Sequence, residues 1–143
     1  MTVGIVPASG GGPALIDQTW ALGVAQGRNW TYQNGIVAKA GGTQALATQL
    51  LTGAYIYNVD TCASTGDSVK LFAALPGHGI VINNNTGNTL DVYTYDGYNG
   101  ATNATSADTI NGVATGTAYT LTTQQAAYFT CGKAGKWSAI KTA

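Results

Sequence analysis

The single histidine, His78, stands between two glycines in "LPGHG", and it is the only side chain ready to act as a general base near neutral pH. A hydrolytic triad needs a nucleophile, a histidine and a carboxylate meeting in space. With one histidine in a glycine-flanked turn, the pattern reads as an exposed turn residue rather than a base. All six acids are aspartates. Asp91 and Asp96 are the nearest thing to a catalytic carboxylate pair, but Asp91 falls on the polar face of a strand and Asp96 opens a turn. Asp96, Asn99, Asn103 and Asp108 carry the oxygen ligands calcium prefers, yet their spacing fits no EF-hand loop, and Asn and Asp are ordinary turn residues. Two cysteines and one histidine, far apart, make no zinc pattern. "GIVPASGGGPA" is glycine-rich but lacks the lysine and following helix of a phosphate loop. The residues therefore point to no catalytic group, no metal and no cofactor, and the expectation is a protein that is not an enzyme.

What remains is aromatic and amide-rich. Trp20, Trp30, Tyr32, Tyr93, Tyr95 and Tyr98 are suited to stack on sugars or to pack against protein. On "TLDVYTY", Tyr93 and Tyr95 fall on the face opposite Leu90 and Val92. If the latter face the core, the tyrosines face outward or into a neighbouring subunit; a second core layer in a two-sided sheet is the equal alternative.

The elements that carry these groups read as β. Tyr55, Tyr57 and Val59 share one face of "GAYIYNV", and Val69 and Leu71 one face of "SVKLFA". "GHGIVINNNTGNTLDVY" reads as a hairpin. Ile80 and Ile82 are buried on one strand, Leu90 and Val92 on the next, and "NNNTGN" supplies positive φ and side-chain-to-backbone bonds in the turn. "GTAYTLTT", "AAYFTCG" and "KWSAIK" follow, with Ala127, Phe129 and Cys131 in phase toward a core. Strands every 8–12 residues predict a β-sandwich or small barrel of short antiparallel strands over 49–143, without a long helix and without an exact internal repeat. Asp96 to Gly112 interrupts the rhythm as a long polar loop. Residues 1–48, with glycines 10–12 and two flanking prolines, lack periodicity and predict an extended N-terminal arm. Leu15, Ile16, Trp20, Trp30 and Tyr32 are its means of burying itself on another chain.

Bulk properties narrow the partners. The chain has 143 residues, the size of one domain, with 45% apolar residues but only 8% charged and no net charge. Nucleic acid binding needs clustered surplus lysine and arginine and is not expected. No apolar stretch is long enough for a membrane span, and "MTVGIVPASGGG" lacks the basic region and apolar core of a signal peptide, so synthesis in a cytoplasm is expected. A neutral surface does little to keep copies apart.

"GDSVKLFAALPGHGIVINNNTGNTLDVYTYDG" and "DTINGVATGTAYTLTTQQAAYFTCGKAGKW" together resemble a group of small virion proteins of tailed bacteriophages. The shared marks are a strand ending in Asn, a "TGNTLDVY"-like hairpin, an "INGV"-like turn and a last strand ending in "GKW", over roughly Asp60 to Ile140. The resemblance implies head decoration: a cement protein on the outer capsid surface, commonly a trimer, with the major capsid protein as partner. It also implies that the cytoplasm of synthesis is that of a bacterial host. Some relatives resemble fibre or tail components, which implies as the alternative a tail-tip domain binding bacterial surface glycans. Gly97 to Ala107 look inserted relative to that group, and the arm lies outside the resemblance.

Overall fold

The computed structural model describes residues 31–97, 108–113 and 115–143. Contacts divide the chain into a unit of residues 1–30 and a unit of residues 31–143. The fold described is that of the second.

Ten strands and no helix make up the described residues: β1 (Tyr32–Val37), β2 (Thr48–Gln49), β3 (Ile56–Thr61), β4 (Asp67–Lys70), β5 (Gly79–Asn84), β6 (Leu90–Tyr93), β7 (Thr109–Ile110), β8 (Tyr119–Leu121), β9 (Ala126–Lys133) and β10 (Lys136–Lys141). They form a six-stranded sheet in the order β1-β3-β5-β9-β10-β7 and a four-stranded sheet in the order β2-β4-β6-β8. The all-β class holds. The antiparallel connectivity does not.

From β1 to β6 the chain alternates between the two sheets, and each strand pairs in parallel with the one before it in its own sheet. β1 lies parallel to β3 and β3 to β5, while β2 lies parallel to β4 and β4 to β6. The chain thus winds through three successive coils, a solenoid-like arrangement rather than the expected antiparallel sandwich or barrel. The last part turns antiparallel. Among the described residues, β8 pairs antiparallel with β6 and ends the small sheet; in the large sheet β9 pairs antiparallel with β5 and β10 with β9, and β7 ends it parallel to β10. A tight turn at Ala134 and Gly135 joins β9 to β10.

Two expectations are corrected here. "GHGIVINNNTGNTLDVY" is not a hairpin, because β5 and β6 belong to different sheets. Residues 84–90 form an arch that carries the chain across the core. Gly87 is absent from the positive-φ residues and no atom stands within 4 Å of where its Cβ would be, so it meets no demand for glycine. The arch is held by side chains instead. Residues 31–48, placed by the sequence in an arm, supply β1 and β2 of this unit, and Ile36, Ala38 and Ala47 are buried. The part of the arm reading that concerns residues 1–30 lies outside the described residues.

Alternation along the strands determines which side chains enter the core. Tyr57, Val59, Ile80, Ile82, Ala127, Phe129 and Trp137 come from the large sheet, and Val69, Leu71, Leu90, Val92 and Leu121 from the small one. Burial of these apolar groups is the main favourable term in folding. At one end of the core, rings pack edge-to-face: Phe72 against Trp137 at 5.8 Å and Phe129 against Trp137 at 6.4 Å between centroids.

Candidate interaction surface

The coils are bound to each other on the outside by amides. Asn58 Nδ2 donates to Asn34 Oδ1 at 2.6 Å, and Asn83 Nδ2 donates to Asn58 Oδ1 at 2.7 Å. These three side chains stand at offsets of 24 and 25 residues and form a ladder across β1, β3 and β5. Parallel in-register stacking puts like residues one above another, and an amide is the side chain that both donates to one neighbour and accepts from the other. Beside the ladder, Asp60 accepts from the Gly35 amide at 2.6 Å and from Asn85 Nδ2 at 2.8 Å. These two bonds, the Asn85 one foremost, hold its carboxyl below the usual range.

Inside the arch the next asparagine does different work. Asn84 is 1% exposed. Its amide donates to the carbonyls of Asn88, Leu121 and Thr122, and its oxygen accepts from the Thr86 amide and hydroxyl. Buried polar atoms must be paired, and this side chain pairs those of the arch and of the end of β8.

Two of the acids singled out in the sequence, Asp96 and Asp108, are occupied in holding strands, while Asp91 is half-buried and burial pushes its carboxyl up. Lys70 and Asp96 form a largely buried ion pair at 2.5 Å, and Lys70 Nζ also reaches the Ala45 carbonyl at 3.5 Å. The Asp108 carboxylate accepts from the Ala74 amide. Asp96 and Asp108 are thus tied to different neighbours; Asn99 and Asn103, the other ligands of the calcium reading, lie outside the described residues. Among the described residues no three His, Cys, Asp or Glu side chains converge as metal ligands. His78 is not an exposed turn residue. It is half-buried, stacked on Trp137 at 6.2 Å and edge-on to Phe72 at 5.2 Å. Cys62 and Cys131 are buried free thiols. Burial pushes the Cys62 thiol up, which suppresses the thiolate that nucleophilic chemistry requires.

The tyrosines divide. Tyr93, read as facing either outward or a second core layer, is buried, and its hydroxyl donates to the Gly42 carbonyl. The reason is the segment 38–47, which folds over that face of β6 and is fastened there by bonds from Gln44 to Thr94. Tyr95 is half-exposed in a shallow groove of about 400 Å³ with Gln49, Leu51, Thr52 and Phe72. Tyr32 is 66% exposed. Leu15, Ile16, Trp20, Trp30 and Tyr98 lie outside the described residues.

Two surfaces present apolar side chains. The first coil exposes Tyr32 and Val37 on β1 and Leu46 and Leu51 beside β2. Among the described residues β1 and β2 are the outermost strands of their sheets, and neither carries a charge that would repel an added strand. The second surface is the outer face of the large sheet. There Tyr128 lies in register with Val81 on one side and Ile140 on the other, lining a shallow groove of about 340 Å³. Tyr55 packs beside Tyr128 at 6.5 Å, and burial followed by its hydrogen bond with Tyr128 pushes the Tyr55 phenol up. Neither surface was legible as such. Leu46, Leu51 and Ile140 attract notice only once the edge strands are known.

No family model, no curated protein and no solved structure matches this chain.

Proposed function

We propose that this chain is a structural virion protein: a decoration or cement protein that binds the outer surface of a phage head as a homotrimer and stabilises the shell. The observation that carries the reading is the first coil. It offers two uncharged edge strands and four exposed apolar side chains on a body whose polar groups are committed to holding coils together. An edge strand adds to a neighbour through main-chain bonds, and exposed Tyr and Leu side chains bury against it. The major capsid protein and sister subunits are the partners, and the protein acts on the capsid surface after synthesis in the host cytoplasm. The resemblance of Asp60 to Ile140 to phage virion proteins supports the same reading. So does a net charge of zero, which leaves adhesion to apolar and hydrogen-bonding contacts.

The test is sedimentation of purified protein with undecorated heads of its phage. The reading expects saturable co-sedimentation and heads that resist heat better once loaded. Replacing Leu46 and Leu51 together by Asp should weaken binding without unfolding the domain, since both are exposed. Absence of binding to heads would defeat the reading. A second reading, a fibre or tail-tip domain recognising surface glycans, draws on the groove that brings Tyr95 and Phe72 together beside Gln49 and Thr52. Binding to host glycans that Tyr95→Ala abolishes, with no binding to heads, would establish it instead.

A further inference from the structure

We infer that Asn34–Gly35 is a self-modification site, at which Asn34 closes on the Gly35 nitrogen to form a succinimide with Asp60 as the base. The inference is independent of the role on the capsid. Asparagine is among the thermolabile residues, and its loss of ammonia requires the next backbone nitrogen to attack the side-chain carbonyl. The glycine at 35 puts no side chain beside that nitrogen, and apart from its chain neighbours no atom stands within 4 Å of where a Cβ would be.

Three features meet at this dipeptide. First, the pairing of β1 with β3 shifts register between Gln33 and Ile36, and the Gly35 amide donates to Asp60 Oδ2 at 2.6 Å. A carboxylate within hydrogen-bond reach of the proton to be removed is placed as a general base. Second, Asn34 Oδ1 accepts from Asn58 Nδ2 at 2.6 Å, so a donor already points at the oxygen on which negative charge develops. Third, both residues are exposed, which lets ammonia leave and water enter.

The step balances as follows. The Gly35 N–H proton passes to Asp60, and the nitrogen forms a bond to Asn34 Cγ while the carbonyl electron pair moves onto Oδ1. Collapse breaks the Cγ–Nδ2 bond, and the departing nitrogen takes the proton from Asp60 and leaves as ammonia. Solvent water then opens the ring to aspartate or isoaspartate at position 34. The product adds a negative charge beside Asp60 on the edge strand of the first coil.

The chain supplies its own comparison. Asn111–Gly112 is the same dipeptide, but both ends of the Asn111 side chain are held by one residue: Nδ2 donates to the Ala139 carbonyl at 3.0 Å and Oδ1 accepts from the Ala139 amide at 2.8 Å. That pair of hydrogen bonds ties down the nitrogen that would have to leave as well as the oxygen, and no carboxylate is bonded to the Gly112 amide among the described residues.

The experiment incubates the intact chain in warm neutral buffer and maps it by trypsin and mass spectrometry, reading the amide-to-acid mass gain and isoaspartate at each asparagine. Cleavage after Arg28 and Lys39 gives the peptide 29–39, which carries Asn29 and Asn34, and fragmentation of that peptide assigns the change to one or the other. We expect Asn34 to convert on the order of tenfold faster than Asn111, and Asp60→Asn to slow Asn34 by several-fold while leaving Asn111 slow. Equal rates at the two sites, or an Asn34 rate that Asp60→Asn leaves unchanged or raises, would overturn the inference. If Asp60→Asn also releases Asn111, the fold has loosened. A synthetic peptide of residues 29–39 then decides: conversion faster in the folded chain than in the peptide upholds Asp60 as base, and conversion no faster refutes it.

Discussion

Replacing Asn84 by Leu should cost this protein on the order of 3 kcal/mol of stability, although the side chain it introduces is of similar size and more apolar. The figure follows from what the amide holds. Asn84 donates to Asn88 O at 2.8 Å and to Leu121 O and Thr122 O at 3.0 Å, and it accepts from the Thr86 hydroxyl at 2.7 Å and amide at 3.2 Å. Some of these partners keep a second bond. The Thr86 hydroxyl and the Asn88 carbonyl also pair with each other, and Thr122 O also accepts from the Gln125 amide. The Thr86 amide loses its acceptor, while the Leu121 carbonyl, whose residue is paired with Leu90 in the ladder, loses a second bond. A lost bond costs about 1 kcal/mol net and a buried group left unpaired about 1–3 kcal/mol, so one unpaired amide together with the other lost bonds gives the stated value. That is a large part of the roughly 5–15 kcal/mol by which a domain is stable. Urea unfolding followed by far-ultraviolet circular dichroism measures it, and the midpoint should fall with an unchanged slope. Asn83→Ala is the control, because Asn83 donates only to Asn58 at the exposed end of the ladder and should cost about 1 kcal/mol or less. If Asn84→Leu cost no more than Asn83→Ala, the arch would not depend on Asn84 and the reasoning would fail.

Further predictions concern backbone, charge and assembly. Gly87→Ala should leave the melting temperature nearly unchanged, whereas Gly135→Ala should lower stability by about 1–2 kcal/mol. Gly135 has φ +76 and its added Cβ would stand 3.4 Å from Asp108 Oδ1. Asp60 has a folded-state value below its ordinary one. Its contribution is therefore fully present above the unfolded value of about 4 and is lost as pH falls through the folded value. Melting curves against pH should show Asp60→Asn losing less stability than the parent on acidification; parallel curves would contradict this. Light scattering should find a homotrimer at micromolar concentration, and a stable monomer there would count against the assembly proposed.

The faces of the strands were legible in the sequence, and their partners were not. Period-two alternation grouped Tyr57 with Val59, Ile80 with Ile82, Leu90 with Val92, and Ala127, Phe129 and Cys131 together, and all are core, because burial on one face of a strand leaves that mark whatever the strand pairs with. Tyr55, read on the face of Tyr57 and Val59, is instead half-buried beside Tyr128. Pairing leaves a weaker mark. Short connections between strands suggest hairpins, but residues 84–90 span from one sheet to the other, and the coils stack at offsets that vary, 24 and 25 residues at the Asn34, Asn58 and Asn83 ladder of the large sheet but 21 and 23 in the small one. "NNN" at 83–85 hides three roles in one composition: an outer ladder, a buried clamp and a bond to Asp60. The sequence left Tyr93 between an outward face and a second core layer, and it is buried; the choice was not legible because its cover, segment 38–47, lies about fifty residues away, and a two-sided strand has no polar face to read. Of the eight residues proposed for the interface, Tyr32 is exposed and Tyr95 half-exposed, Tyr93 is buried, and Leu15, Ile16, Trp20, Trp30 and Tyr98 lie outside the described residues.

Counting copies of this chain per intact virion by quantitative mass spectrometry tests the central proposal most directly. A decoration protein must cover the shell, so the account predicts a copy number on the scale of the major capsid protein, with the chain lost from particles stripped of their outer layer. A handful of copies that purify with tails would contradict it and assign the chain to the tail.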